Sequence, residues 1–102
     1  MIDIPYEWLR RAATPLEFER ARLEHMATTH NLPFEKVAEK FADRPFGVMT
    51  ESWRNFVRKL RQGDELWFFS GPDHTFAQKL GCQGYAIVRD GVIRETLITL
   101  QT

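Results

Sequence analysis

The sequence predicts an α+β domain with three to four N-terminal helices, followed by a small three-stranded sheet that ends in an antiparallel β-hairpin. Two observations support this class. Apolar residues recur at helical spacing through the first 62 residues, and apolar runs typical of strands follow from Glu65 onward. With 102 residues, of which 43% are apolar, the chain can bury one core, so residues 1–102 are expected to form a single domain.

The first two predicted helices have separate start signals. Pro5 suits the first turn of a short helix over residues 3–13. Thr14 and Glu17 then stand at capping-box spacing before a helix that extends to about His30. This second helix is apolar on two nearly opposite sides, which is typical of a helix that packs between two elements or meets a partner subunit.

The next two predicted helices each carry apolar residues at i, i+3, i+4 and i+7. These sets are Phe34, Val37, Ala38 and Phe41, and then Trp53, Phe56, Val57 and Leu60. Residues 43–47 contain a proline and a glycine and predict a connector between the two helices. Thr50 is the predicted N-cap of the second of them, and Gly63 is its predicted C-terminal residue.

Three strands are predicted after Gly63. Residues 65–70 contain four consecutive apolar side chains, which indicates a buried strand. A two-turn helix capped by Asp73 should separate it from a second strand over residues 84–89 and a third over 92–100. Asp90-Gly91 between the last two is a strong signal for a type I′ hairpin turn.

A two-residue turn sets a predicted register for this hairpin. It pairs Arg89 with Val92, Val88 with Ile93, and Ile87 with Arg94. Leu97 should then lie on the face of Ala86 and Val88, and Ile98 on the face of Tyr85 and Ile87. Because neither face is clearly polar, either helices cover both faces or one face meets a partner.

Composition excludes several classes of protein. The net charge is zero and the isoelectric point is about 6.8, so no global field attracts nucleic acid or an anionic membrane. No apolar run approaches the roughly 20 residues that span a bilayer. Cys82 is the single cysteine, which excludes an intramolecular disulfide and fits the cytoplasm.

The segments Gly63-Asp64-Glu65-Leu66-Trp67-Phe68-Phe69 and Gly84-Tyr85-Ala86-Ile87-Val88-Arg89-Asp90-Gly91 resemble a pattern in a family of small, uncharacterised bacterial proteins. The resemblance covers about the last 40 residues. It implies a bacterial, cytoplasmic source, and it implies no reaction, cofactor or catalytic residue.

Catalytic and metal sites find little support. Asp73, His74 and Cys82 form the one cluster that suggests nucleophilic chemistry, but Asp73 suits a helix cap and Cys82 a small apolar filler. His25 and His30 are five residues apart, whereas two histidine ligands on one helix stand three or four apart. We expect no catalytic residue, no metal and no cofactor.

Two further groups of residues are candidate binding sites. Trp67 and Phe69, with Asp73 and His74, can form an aromatic pocket for a small molecule. Trp53 and Phe68 are further candidates for its lining. A second group, with Lys59 nearby, is predicted to share one helix face that can grip phosphates. Its members are Arg54, Arg58 and Arg61.

The leading functional hypothesis is a non-catalytic protein-interaction domain, either self-associating as a homodimer or acting as an accessory or immunity-type partner. It is based on three observations: the second helix is apolar on two sides, the hairpin is apolar on both faces, and no set of residues with catalytic spacing is visible. The first alternative is a ligand-binding or enzymatic domain using the aromatic pocket. The second is nucleic-acid binding through the three arginines, which the neutral charge does not favour.

Overall fold

The computed structural model describes residues 4–72 and 81–101 and shows an α+β fold. Within these residues, three α-helices and four strands occur, with short 3-10 turns at Tyr6–Trp8 and Gly47–Met49. In chain order they are β1 (Leu9–Ala12), α1 (Pro15–His30), α2 (Phe34–Phe41), α3 (Thr50–Val57), β2 (Glu65–Ser70), β3 (Cys82–Arg89) and β4 (Val92–Gln101). The sheet order is β1-β2-β3-β4, and every neighbouring pair is antiparallel.

The predicted first helix is wrong, and so is the count of three strands. Tyr6–Trp8 forms one 3-10 turn, and the chain then enters β1. β1 pairs with β2 so that Leu9 lies opposite Phe69 and Ala12 opposite Trp67. An isolated short helix is marginal in water, whereas edge pairing satisfies the same backbone groups against a formed sheet.

Helix α1 is confirmed with its capping box. The Glu17 backbone N–H donates to Thr14 Oγ1 at 3.2 Å, and the Thr14 N–H donates to Glu17 Oε1 at 3.1 Å. The hydrogen bond from the Thr14 backbone N–H, followed by that with the Thr14 side chain, holds the pKa of the Glu17 carboxyl below its usual value. Phe18 is buried against the sheet, whereas Leu23 and Ala27 are buried against α2. The two apolar stripes therefore place α1 between two elements of its own chain.

The helix predicted from the spacing of Phe34, Val37, Ala38 and Phe41 is confirmed as α2, but α3 differs from the prediction. It ends at Val57, and Gly63 has a positive φ of 88° in the later turn. Thr50 is not the N-cap, because it is already helical. Its hydroxyl instead donates to the Gly47 carbonyl at 2.8 Å and accepts from the Phe46 N–H at 3.2 Å, which closes the preceding turn.

Strand β2 has the predicted bounds, and the hairpin turn is confirmed by φ values of 53° at Asp90 and 75° at Gly91. The two-turn helix predicted between β2 and β3 lies outside the described residues. Arg89 pairs with Val92 as predicted. Ile87, however, lies opposite Glu95 and not Arg94, because Arg94 is an extra residue in a β-bulge.

The bulge reverses the predicted faces of residues 95–98 in β4, and a second bulge at Thr99 returns Leu100 to its predicted face, opposite Gln83. Leu97 lies opposite Tyr85, and Ile98 opposite Gly84. A one-residue shift moves the side chains that follow it to the other side of the sheet. Leu97 therefore packs with the helices, and Ile98 packs with Ala86 on the far side.

The core lies on both sides of the sheet. The helix-facing side holds the largest cluster of buried side chains: Phe18, Phe46, Trp53, Phe56, Leu66, Tyr85 and Ile87. The far side holds a second cluster that includes Ile4, Phe69, Cys82 and Ala86. Phe69 and Ala86 are both 0% exposed, so the centre of the far side is already covered. No helix in the described ranges is long and apolar enough to cross a membrane.

Candidate functional site

Tyr85 is the centre of an aromatic cluster on the helix-facing side of the sheet. Its ring lies edge-to-face against four others, at centroid distances of 5.0 Å from Phe18, 4.8 Å from Trp53, 5.5 Å from Phe46 and 5.6 Å from Phe68. Such edge-to-face contacts are favourable because ring edges are positive and ring faces negative. The cluster therefore holds Tyr85 rigidly at the boundary between core and surface.

A cleft of about 270 Å³ opens beside Tyr85, and we call it the Tyr85 cleft. Phe18, Phe68 and Tyr85 supply its aromatic floor, and its polar rim comes from different elements. The rim residues are Arg11 of β1, Arg22 and His25 of α1, and Gln83 of β3. Residues that are far apart in the sequence thus meet at one concave surface.

Two arginines at the rim are positioned by aromatic rings. The Arg11 guanidinium carbon lies 5.6 Å from the Phe18 centroid, and that of Arg22 lies 5.0 Å from the Phe46 centroid. Cation–π contacts orient a guanidinium group without neutralising its charge. Arg22 stands one helical turn after Phe18, and Arg11 lies opposite Phe68 in the sheet, so regular structure sets both positions.

No described carboxylate forms an ion pair with Arg11 or Arg22. The ion pairs within the described residues are Arg20 with Glu24, Lys59 with Glu95, and Arg89 with Asp64. Glu17 senses the charge of Arg11, but its carboxylate is engaged in the capping box. Both guanidinium groups therefore keep donors available at the rim of the cleft.

The Tyr85 hydroxyl faces the same charged rim. Tyr85 is 5% exposed, and its hydroxyl has no hydrogen-bond partner among the described residues. Burial raises the pKa of Tyr85, while the positive charges of Arg22 and Arg11 act in the opposite direction. The phenol therefore stays protonated near neutral pH and can donate a hydrogen bond to an anion in the cleft.

A second cleft of about 350 Å³ continues from the first, because Arg22 and Gln83 belong to the walls of both. Its other lining residues include Val48, Met49 and Leu100. Val48 is 93% exposed and Leu100 is 45% exposed. We call the two clefts together the aromatic groove, which is cationic at its Arg11 end and apolar at its Leu100 end.

A separate cleft of about 390 Å³ lies at the opposite end of the sheet, beside the hairpin turn. Arg58, Lys59 and Arg61 line it from the segment after α3, and Arg89, Arg94 and Glu95 line it from β3 and β4. We call it the basic cleft.

The predicted basic helix face is corrected by this geometry. Because α3 ends at Val57, Arg58 is its C-cap and Arg61 lies in the following turn. Arg54 is on the helix and donates to the carbonyl oxygen of Asp43. Arg58 and Arg61 thus meet in the basic cleft, and Arg54 is not among the lining residues.

The predicted aromatic pocket is only partly described. Phe69 is fully buried in the far-side core with Cys82 and Ala86, so it fills space. Trp67 lies on the same side of the sheet, opposite Ala86, and its indole N–H is buried with no partner within the described residues. Asp73 and His74 lie outside the described residues. Phe68, on the other side, lines the Tyr85 cleft.

Cys82 is a buried core residue, which matches its interpretation as a small apolar filler and not as a nucleophile. Burial raises the pKa of the Cys82 thiol, which disfavours the reactive thiolate. The Nε2 atom of His25 lies 3.4 Å from Thr29 Oγ1, and His30 is the last residue of α1. Across residues 4–72 and 81–101, no group of three or more His, Cys, Asp or Glu side chains is arranged to hold a metal ion.

Phe68 is a predicted pocket residue, but the other residues of the aromatic groove are not predicted as a binding site, although one signal for them exists. Phe18, Arg22 and His25 stand at i, i+4 and i+7 and so share one face of α1. A cationic and an aromatic residue on one helix face indicate a surface that meets both core and solvent. No signal points to Arg11, because the sequence pattern predicts a helix over residues 3–13 and not the strand that brings Arg11 to the sheet.

Comparison with protein-family models, with curated proteins and with solved structures gives no match to this chain. The resemblance to small bacterial proteins therefore stays a prediction, and function is inferred from the geometry of the chain itself.

Proposed function

We propose that this chain is a non-catalytic protein-interaction domain that binds an acidic segment of a partner protein in the aromatic groove. The observation that carries the proposal is the pair formed by Arg11 and Arg22. Both guanidinium groups stand on aromatic rings at the groove, and neither has a carboxylate partner among the described residues. An incoming carboxylate would supply the missing partner.

The shape of the groove favours a chain segment over a compact ligand. Two adjoining clefts share Arg22 and Gln83, so the concave surface extends from Arg11 to Leu100. The exposed Val48 and Leu100 at the far end favour an apolar side chain there. A segment with acidic residues followed by an apolar residue matches this order of charge and hydrophobicity.

The first contacts of such a segment follow from the donor groups. A carboxylate between Arg11 and Arg22 would accept charge-assisted hydrogen bonds, and the Tyr85 hydroxyl would supply a further donor. Because ring contacts already hold both arginines, little side-chain entropy would be lost on binding.

The test is selection from a random linear-peptide library, with the purified protein as bait. We expect the enriched peptides to carry acidic residues with an apolar residue nearby. Charge reversal by Arg22→Glu should abolish their binding, because it places a carboxylate where the ligand carboxylate would lie. Lys36→Glu is the matched control: Lys36 is exposed on α2, and binding should persist.

Two results would contradict the proposal. One is enrichment of peptides without acidic residues. The other is equal loss of binding in the two charge-reversal variants, which would indicate a general charge effect. Binding of small carboxylates alone, without selected peptides, would favour the ligand-binding alternative and confine the site to the Tyr85 cleft.

Self-association is the second form of this proposal, and the edge of β4 supports it. β4 is the last strand of the sheet order and is ten residues long. An edge strand offers unpaired backbone groups to a second chain. Light scattering on the purified protein distinguishes the two forms. A bacterial, cytoplasmic location is part of the same proposal, supported by the sequence resemblance and by the single cysteine.

A further inference from the structure

We propose that the basic cleft is a second binding site, separate from the aromatic groove, which takes a ligand carrying two or more linked phosphate groups. Five cationic side chains line this cleft, and Glu95 is the one acidic residue in its lining. Such a concentration of like charge in one concavity costs free energy in the absence of an anion.

One wall of the cleft is held in place by Asp64. Arg89 donates from Nε to Asp64 Oδ1 and from Nη2 to Asp64 Oδ2, both at 2.8 Å. The Arg61 backbone N–H donates to Asp64 Oδ2 at 2.9 Å. One carboxylate thus ties the turn after α3 to β3, and so joins the two walls. Arg89 is occupied by this pair, and its role is to shape the cleft.

The remaining cations keep donors available for a ligand. Lys59 Nζ lies 3.7 Å from Glu95 Oε2, a long ion-pair distance between two partly exposed side chains. Arg58 uses one nitrogen on Asn55 at 2.7 Å. The side chains of Arg61 and Arg94 have no acceptor within the described part of the chain. Arg61 and Arg94 are therefore the two groups best able to grip an anion in bidentate fashion.

Arg94 and Glu95 both line this cleft at the bulge in β4. Arg94 is the extra residue between the pairs Val88–Ile93 and Ile87–Glu95. In a regular hairpin, Arg94 would lie opposite Ile87, and Glu95 would lie on the far side. Bulges commonly redirect a side chain next to a functional site, and here the bulge brings Glu95 to the side of Ile87, where it contacts Lys59, while Arg94 stays in the lining beside it.

The lining chemistry selects the ligand class. Linked phosphates carry several charges and many acceptor oxygens, which matches several arginines better than one carboxylate does. No aromatic ring belongs to the lining, so a base has no surface on which to stack. Recognition would therefore read phosphate charge, whether the phosphates belong to a free polyphosphate compound or to a nucleic-acid backbone.

The test is titration calorimetry at low ionic strength, with tripolyphosphate and an oligothymidylate as separate probes. We expect tripolyphosphate to bind with one-to-one stoichiometry, and more weakly as salt is added. Arg94→Gln and Arg61→Gln should each reduce the affinity about tenfold or more, the usual effect of losing a charged hydrogen bond. Lys36→Gln, the control with the same charge change on α2, should reduce it less than about twofold.

The two probes separate the sources of the phosphate. Tripolyphosphate binding without oligothymidylate binding assigns the site to free phosphate compounds. Oligothymidylate binding that tripolyphosphate displaces, with the same sensitivity to Arg94→Gln, assigns it to a nucleic-acid backbone. The inference is overturned if neither probe binds, or if Lys36→Gln weakens binding as much as Arg94→Gln. Arg22 does not line the basic cleft. If the peptide experiment with Arg22→Glu fails, the result of the phosphate titration is therefore unaffected.

Discussion

The guanidinium group of Arg89 binds the carboxylate of Asp64 through two parallel hydrogen bonds of 2.8 Å. The Asp64 side chain is 0% exposed and that of Arg89 is 28% exposed. The pair joins the start of β2 to the end of β3, next to the turn that precedes β2. It is thus a structural link between the helical and β halves of the chain.

This ion pair predicts a particular dependence of stability on pH. The hydrogen bonds from Arg89 and from the Arg61 backbone lower the pKa of Asp64 from 3.8 to about 2. A carboxyl with a lowered pKa in the folded state stabilises the fold when ionised. Its contribution is complete above about pH 4 and is lost as the pH falls toward about 2.

We therefore expect wild-type protein to lose more unfolding free energy than Asp64→Asn between about pH 4 and pH 2. Urea denaturation followed by circular dichroism at several pH values measures both. Asp43→Asn is the control, because Asp43 is an exposed aspartate outside the pair. Parallel curves for wild type and Asp64→Asn over this range would contradict the role assigned to the pair.

Gly84 is expected to tolerate no side chain. A Cβ atom there would stand 2.0 Å from the Leu97 carbonyl oxygen and 3.0 Å from Ile98 Cα. Both are backbone atoms of β4, so relief requires the strand to move. We expect Gly84→Ala to cost roughly 1–3 kcal/mol or more, measured by denaturant unfolding. Wild-type stability in this variant would show that β4 does not approach so closely.

The two tryptophans should respond differently to replacement by phenylalanine. Trp53 is 0% exposed, and its indole N–H donates to Glu19 Oε2 at 3.1 Å. The Trp67 N–H is buried without a partner in the described part of the chain. Trp53→Phe should therefore destabilise by about 1–2 kcal/mol more than Trp67→Phe, which also removes an unsatisfied donor. Denaturation of the two variants side by side decides this, and equal losses would contradict it.

Tyr85→Phe separates the role of the ring from that of the hydroxyl. The ring packs against four aromatic neighbours, which phenylalanine would keep, whereas the hydroxyl faces the cleft. We expect unfolding free energy to change by less than about 0.5 kcal/mol, the range of a surface change. Affinity for acidic peptides should fall severalfold. If stability falls strongly instead, the hydroxyl belongs to the core.

Sequence reasoning succeeded where local chemistry decides the structure. The capping box of Thr14 and Glu17 set the start of α1, and Asp90-Gly91 set the hairpin turn. Both depend on residues within a few positions of one another, so no distant contact can override them easily. Strand β2 was predicted with equal success, because four consecutive apolar residues after a turn favour a buried strand over the other kinds of secondary structure.

Sequence reasoning failed where a distant contact decides the structure. Leu9–Ala12 carries no strand pattern, and it is a strand because β2 offers it an edge. The bulge at Arg94 leaves no signal either, because the apolar residues of β4 are compatible with both registers. The aromatic groove depends on the first of these features, because Arg11 comes from β1 and meets residues of α1 and β3 only when β1 pairs with the sheet.

The extra residue in β4 also has an evolutionary consequence. Because Arg94 has no counterpart in β3, its side chain can be exchanged without altering the alignment of any interior position. Single substitutions at Arg94 can therefore change the charge of the basic cleft, and so the ligands it binds, while Leu97 and Ile98 keep their positions in the sheet. Loss of the residue would be a different event, since a deletion would remove the bulge and its cation while the later pairs, from Ile87–Glu95 to Gly84–Ile98, stayed in register.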